Sequence, residues 1–219
     1  WYNFYCTNQD GVAGIMISTE NPTVTVDVYL SDQNGNQGSQ IPLYSSEPPI
    51  TPTTPYGISK LTCEHIINMY TKQGVIQGTS LRLGATVGPM LTHGVVFDFM
   101  KKSRDNSENL EVIGKCPGSQ KPYTHVDDVI NGIMIISSLP SFRQAYNLCN
   151  EDSLSIKDLA AGVLEGMGAK RSLIWKDINW AGDNPVLRVC SYKMKDIGWK
   201  SNYTSYNAIV KAVKENITE

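Results

Sequence analysis

The sequence predicts an α/β fold, a parallel sheet with a smaller lobe beside it, on three observations. Strand-like and helix-like segments alternate, the order expected of parallel βαβ units. A long helix opening at Pro55 stands between two β patterns, Val24 to Leu30 and Ser80 to Leu83. The 219 residues, 41% of them apolar, suit one domain or a larger domain with a small lobe.

Taken in order, Tyr5-Cys6-Thr7-Asn8-Gln9-Asp10-Gly11 leads into an apolar run from Val12 to Ile17, expected to be a helix with an apolar face. The chain opens on Trp1, and this first segment reads as the middle of a domain. Alternating Val24, Val26 and Val28 before Tyr29-Leu30 give a strand ending at Ser31. From Asp32 to Thr54 there is no periodicity and much Gly, Asn, Ser and Pro, a loop long enough to suggest function. Thr54 can cap the next helix, Pro55 suits its first position, and Ile58, Leu61, Ile66, Ile67 and Met69 continue at helical spacing. Gly74 ends it.

Val75-Ile76 and Ser80 to Leu83 read as the following strand, with a loop from Gly84 to Thr92 at its carboxyl end. Ligand crevices of parallel sheets lie there, which gives Leu83, Gly84 and Ala85 a functional reading. Val95 to Lys102 is expected to be helical, Leu110 to Ile113 a strand, and His125-Val126-Asp127-Asp128 the start of an apolar helix to about Ser138. Ala145 to Leu148 is a strand, Ile156 to Met167 a helix capped by Ser155, and Ser205 to Glu215 a final amphipathic helix.

A net charge of −2 with no basic block argues against nucleic acid, and no apolar run approaches the ~20 residues that span a bilayer. Five scattered cysteines without Cys-x-x-Cys spacing indicate neither a disulfide framework nor a metal site, and a reducing cytoplasm fits best. No signal peptide is expected, and the sequons at Asn202 and Asn216 are then chance matches.

The chemistry centres on Tyr56 and Lys60, which at i and i+4 share one helix face. A cation within reach moves an acid by about 1 to 3 pH units towards its ionised form, so a tyrosine of ordinary pKa ~10 becomes a usable base. The plainer reading of the spacing alone is a surface helix that happens to carry Tyr-x-x-x-Lys.

The ordered set Asn8-Gln9-Asp10-Gly11, Tyr29-Leu30-Ser31, Pro55-Tyr56-Gly57-Ile58-Ser59-Lys60, Leu81-Arg82-Leu83 with Val87-Gly88-Pro89, Tyr123 to Asp128, Gly182-Asp183 and Asp196 to Trp199 resembles the extended short-chain dehydrogenase/reductases, specifically the nucleotide-sugar epimerases and dehydratases. The resemblance implies a Rossmann-type NAD-binding parallel sheet with its amino-terminal part missing, and a smaller α+β lobe for a nucleoside-diphosphate sugar. Residues 1–84 and 120–149 would belong to the cofactor domain, 85–119 and 150–219 to the substrate lobe. It implies Ser31, Tyr56 and Lys60 as the catalytic set, with Leu83 and Gly84 also at the cofactor and Ser31, Ala85, His93 and Lys121 at the substrate. It implies a homodimer through the helices near 12–17 and 56–73.

This chain departs from that pattern in places. The glycine-rich pyrophosphate turn is absent, and by the family roughly three βα units, on the order of 80 to 100 residues, would precede Trp1. Ala85 stands where an asparagine is common, and Lys121 where many relatives carry an arginine, which gives up bidentate geometry towards phosphate. The arginine often found before Gly182-Asp183 is missing.

Dehydratases of the group carry Thr-Asp-Glu where this chain has Ser31-Asp32-Gln33. A glutamine cannot take the proton at C5, so Gln33 favours C4 epimerisation of a UDP-hexose over dehydration. A reductase of the same family, or a catalytically inactive fragment or binding subunit, are the alternatives. His65 reads as a packing or surface residue, His125 as the organiser of a helix start, and Trp175, Trp180 and Trp199 as core of the small lobe.

Overall fold

The computed structural model describes residues 2–7, 12–18, 25–30, 55–104, 108–139, 145–177 and 186–217. Strands β1 (Tyr2–Thr7), β2 (Val12–Ser18), β3 (Thr25–Leu30), β4 (Gly78–Leu83) and β9 (Ala145–Leu148) form one sheet in the order β1-β2-β3-β4-β9. The β3-β4-β9 half is parallel, with Leu30 opposite Leu83 and Leu83 opposite Leu148. Helix α1 (Pro55–Lys72) makes the crossover from β3 to β4, the βαβ unit expected from the alternation.

One expectation is overturned here. Val12 to Ile17 is not a helix but strand β2, antiparallel to β1 on one side and to β3 on the other. Gly14 in mid-segment costs a helix about 1 kcal/mol, while Val12, Ile15 and Ile17 are β-branched and suit a strand. Partners on both sides then settle the matter by satisfying its backbone groups. No helix near 12–17 is therefore available for a dimer seam.

The faces of β4 separate two layers. Leu81 and Leu83 are buried with Leu148, Tyr146 and the Val129, Ile133 and Ile136 stripe of α3 (Val126–Ser137). On the opposite face Gly78 meets α1, where an added Cβ would stand 2.6 Å from Ile67 Cγ2 and 2.9 Å from Thr71 Oγ1. Only a glycine lets strand and helix approach that closely.

A second core lies between α2 (Val95–Arg104), α4 (Ile156–Met167) and α6 (Ser205–Glu215), with Phe99, Leu110, Leu159, Val163, Ile209 and Val213 among its buried members. Around it run short pairs: β5 (Ala85–Val87) parallel to β8 (Tyr123–His125), β6 (Asn109–Ile113) parallel to β11 (Ser172–Lys176), and β7 (Gln120–Lys121) antiparallel to β10 (Leu154–Ser155). The segment expected as a loop from Gly84 thus contains a strand, since Ala85 to Val87 finds a partner 38 positions on.

The caps of α4 follow the sequence: Ser155 accepts from the Asp158 N–H, and Gly168 takes φ +63° past the last turn. The short α5 (Tyr192–Asp196) carries Met194 into the sheet-side cluster. Trp199 goes there too, its indole donating to the Asp128 carbonyl at 2.9 Å, which corrects its placement in the small-lobe core. Trp175 does pack against the second core, and Trp180 lies outside the described residues.

His125 is fully buried and caps α3, its Nδ1 accepting from the Asp127 N–H at 3.2 Å. The other ring nitrogen must then carry the proton, and Nε2 donates to Glu215 Oε2 at 3.0 Å. Lys211 closes the knot by pairing with Asp127 at 3.1 Å and with Glu215. The ligand atoms of His125, Asp127 and Glu215 lie within 4.8 Å of one another, but the ammonium already supplies the positive charge there.

Candidate active site

Helix α1 places Tyr56 and Lys60 on one stripe, with the Lys60 Nζ 5.4 Å from the centre of the Tyr56 ring. Both side chains are half-buried, and Tyr56 packs against the sheet-side cluster that holds Leu81 and Leu83. Polar side chains within the helix turn back on its own carbonyls: Ser59 donates to Tyr56 O at 2.7 Å and Thr62 to Ile58 O at 2.9 Å. One turn beyond Lys60, Glu64 receives a forked pair of hydrogen bonds from Arg82 of β4, Nε at 3.0 Å and a terminal nitrogen at 2.6 Å.

The carboxyl end of β4 supplies the adjoining floor. Leu83 is buried and Gly84 is pressed against the residue that follows β9, where an added Cβ would lie 2.8 Å from Cys149 Cβ. Burial pushes the Cys149 thiol up to about 12, so at neutral pH it is protonated and no nucleophile. Ala85 follows, half-buried, and opens β5 opposite Tyr123.

Residues 88–94 then form the loop carrying His93. Met90 adopts φ +58° in this loop, a left-handed backbone uncommon outside glycine, and its side chain is exposed. Asn216, past the end of α6, braces the loop by donating to Gly88 O at 2.8 Å while its Oδ1 accepts from Leu91 N at 2.8 Å. His93 is exposed, with its Nδ1 3.0 Å from Thr92 Oγ1. Lys121 is buried in β7, against β10. Ser31, Asp32 and Gln33 lie outside the described residues; β3 ends at Leu30, in register with Leu83.

The sequence expectations thus divide. Tyr56 and Lys60 come together, and Leu83, Gly84 and Ala85 run on from the strand that α1 packs against. Glu64, Arg82, Cys149 and Asn216 were not anticipated as parts of the site. Glu64 had a signal, because it stands at i+4 from Lys60. Asn216 had none of use, having been read only as a sequon.

A hydroxyl and an ammonium one helical turn apart fit the diol of a nicotinamide ribose, with Lys60 donating and Tyr56 able to donate or accept. No glycine-rich turn joins a strand to a helix in the manner of a pyrophosphate cradle among the described residues; their left-handed glycines, Gly74, Gly94, Gly114, Gly118, Gly168 and Gly198, stand elsewhere. The described residues therefore fit one end of a dinucleotide.

A family model described as the NAD dependent epimerase/dehydratase family matches residues 25–149. A dTDP-4-dehydro-6-deoxyglucose reductase of Escherichia coli is 21% identical over 191 residues, 85% of this chain and 60% of the relative. Among solved structures, a UDP-galactose 4-epimerase superposes with a TM-score of 0.70 at 25% identity, covering 89% of this chain and 62% of its own. The UDP-glucose 4-epimerase of Thermus thermophilus in complex with NAD gives 0.67 at 22%, covering 86% and 62%. The chain thus spans about three-fifths of the length of these relatives. At such identities the likeness fixes the α/β fold of the group and leaves the particular reaction open.

Proposed function

The chain belongs to the NAD-dependent epimerase/dehydratase family, and on that premise we propose that it carries the catalytic centre of a nucleotide-sugar epimerase inverting C4 of a UDP-hexose through a 4-keto form. The observation that carries this reading is the Tyr56–Lys60 pair on one stripe of α1 beside the carboxyl end of β4. Tyr56 accepts the proton of the C4 hydroxyl as the carbonyl forms and returns it as the carbonyl is reduced. The Lys60 ammonium favours the ionised phenol and holds the nicotinamide ribose. Ser31 hydrogen-bonds the reacting oxygen. Bound NAD would supply the acceptor for the C4 hydrogen with its electron pair, and the donor that gives it back.

Leu83 and Gly84 line the cofactor end; Ala85, His93 and Lys121 serve the sugar nucleotide. Residues 1–84 and 120–149 form the cofactor part, 85–119 and 150–219 the substrate lobe. No helix among the described residues is long and apolar enough to cross a membrane, and a cytoplasmic enzyme suits the free thiols of Cys63, Cys116, Cys149 and Cys190. The exposed apolar side chains of α1, Ile58, Ile66, Met69 and Tyr70, suit a homodimer seam.

A second reading, reduction of a 4-keto sugar nucleotide, is favoured by the Escherichia coli relative, which aligns over most of this chain. Product analysis of the full-length protein with NAD and UDP-glucose, and in parallel with reduced cofactor and a 4-keto sugar nucleotide, separates the readings. Interconversion at C4 without net change in cofactor is expected. Loss of water from the sugar, or turnover only of a 4-keto sugar with consumption of reduced cofactor, would replace the epimerase with the dehydratase or the reductase. Tyr56→Phe should lower turnover by ~10² to 10⁴ with cofactor binding kept.

A further inference from the structure

Tyr56, Lys60 and Glu64 follow one another at i, i+4 and i+8 along α1. Neighbours at that spacing have Cβ atoms about 5–6 Å apart, so an ammonium at position 60 can turn back to the phenol or forward to the carboxylate. A carboxylate is the stronger attractor of the two at neutral pH, and a lysine paired with it would withdraw its charge from Tyr56. The fork from Arg82 occupies both oxygens of Glu64, at 3.0 and 2.6 Å. The side chains of this pair are 14% and 19% exposed, so water competes poorly for either. Arg82 can reach because β4 turns its Gly78 and Arg82 face towards α1. The Lys60 Nζ, for its part, lies 5.4 Å from the Tyr56 ring centre.

We propose that Arg82 and Glu64 are positioning residues of the active site: by engaging Glu64, Arg82 keeps the Lys60 ammonium directed at Tyr56 and so sets the pH at which the phenol ionises. This rests on the reading of Tyr56 as the base. Of the titratable and charged groups around Tyr56, Lys60 lies at its ring, Glu64 stands about two turns further along the same helix with Arg82 of β4 upon it, and Tyr146 belongs to the cluster that receives the ring.

The test uses the full-length protein with tyrosine labelled at the ring carbon bearing oxygen, the Tyr56 resonance being the one lost in Tyr56→Phe. Its titration midpoint and the pH profile of turnover are followed in wild type, Arg82→Met, Glu64→Gln and the double variant. Arg82→Met frees Glu64 to take Lys60, so the midpoint should rise by about one pH unit. The acid limb of kcat should move with it, with roughly tenfold less turnover below the limb and little change in KM. Glu64→Gln and the double variant remove the competitor and should titrate like wild type. A shift that persists in the double variant would mean that Arg82 acts on Tyr56 directly, against the proposal. Equal losses of turnover in all three variants with an unmoved midpoint would make the bridge a mere dock for α1, also against it. Should Arg82→Met fail to fold, Arg82→Lys keeps the charge without the fork and should show a smaller rise; an unmoved midpoint there overturns the proposal. A midpoint that moves as expected while Tyr56→Phe keeps its turnover would support the charge relation and remove the base reading instead.

Discussion

Helix α6 buries six of its 11 residues, whereas α1, which carries the Tyr56–Lys60 pair, buries three of 18. The first is held along a whole face, by Ala208, Ile209, Ala212 and Val213 against α4, with Gly162 and Gly166 allowing close approach. The second is held at points, by the Gly78 contact and the Arg82–Glu64 fork, and leaves Ile58, Ile66, Met69 and Tyr70 outside. A helix fixed by its face carries much of the stability, and a deletion there is felt in the melt. A helix fixed at points depends on direction, and its geometry can change while the fold survives.

The most severe test of this contrast pairs two aliphatic deletions. Ile209→Ala, at a fully buried site, should cost about 2–5 kcal/mol in a denaturant melt. Ile66→Ala on α1, where the side chain is 45% exposed, should stay within about 0.5 kcal/mol for the monomer, measured at low protein concentration. Equal losses would break the comparison. Ile66→Ser, measured by sedimentation, should shift any dimer towards monomer and lower the melt only at concentrations where the dimer forms.

A polar fastening at the seam between the two cores comes next. The buried Asp128 carboxylate accepts from Asn202 N at 2.9 Å, Asn202 Nδ2 at 2.7 Å and Tyr203 N at 3.2 Å. Asp128→Asn keeps one acceptor and sets an amide against a donor, so about 1–3 kcal/mol should be lost. Smaller still is Ser155→Ala, which removes the α4 cap and should cost about 1 kcal/mol by thermal melting.

The smallest effect concerns pH. Burial alone would raise the Glu215 carboxyl, but hydrogen bonds from Lys211 and His125 outweigh it and hold it below its ordinary 4.5. Its contribution is therefore present above 4.5 and is lost as pH falls through the lowered value. The Glu215 hydrogen bond lifts Lys211 above its ordinary 10.5, against burial. That contribution is whole below 10.5 and is lost as pH rises through the raised value. Glu215→Gln should flatten both flanks of a plot of Tm against pH, by no more than ~2–4 °C for a partly exposed pair worth under about 1 kcal/mol. Unchanged flanks would remove the knot from the account of stability.

What the sequence made legible was what local chemistry decides. Helix α4 runs from Ile156 to Met167 as the Ser155 cap and the spacing of Leu159, Val163 and Leu164 require, and β3 follows its alternating valines. The pairing of Tyr56 with Lys60 is likewise a matter of helical pitch. Val12 to Ser18 misled because an unbroken apolar run has no period to distinguish strand from helix, and its partners in β1 and β3 decided it. Trp199 joined the sheet-side cluster through Asp128, 71 positions away. The Arg82–Glu64 fork was equally hidden, since the face of a strand that meets a helix is not written in either segment alone.

Asn216 also matters in time as well as in space. It binds Leu91 across 125 positions and Gly88 across 128. At about 5–20 residues per second, a growing polypeptide exposes this loop on the order of 10 s before its brace is made. During that interval the left-handed turn at Met90 has no clamp from α6, and the rim bearing His93 is among the last described features to be fixed. A chain stalled on the ribosome short of Asn216 should therefore be cut by chymotrypsin near Met90 and Leu91, while the released chain resists; equal resistance in both would sink the idea.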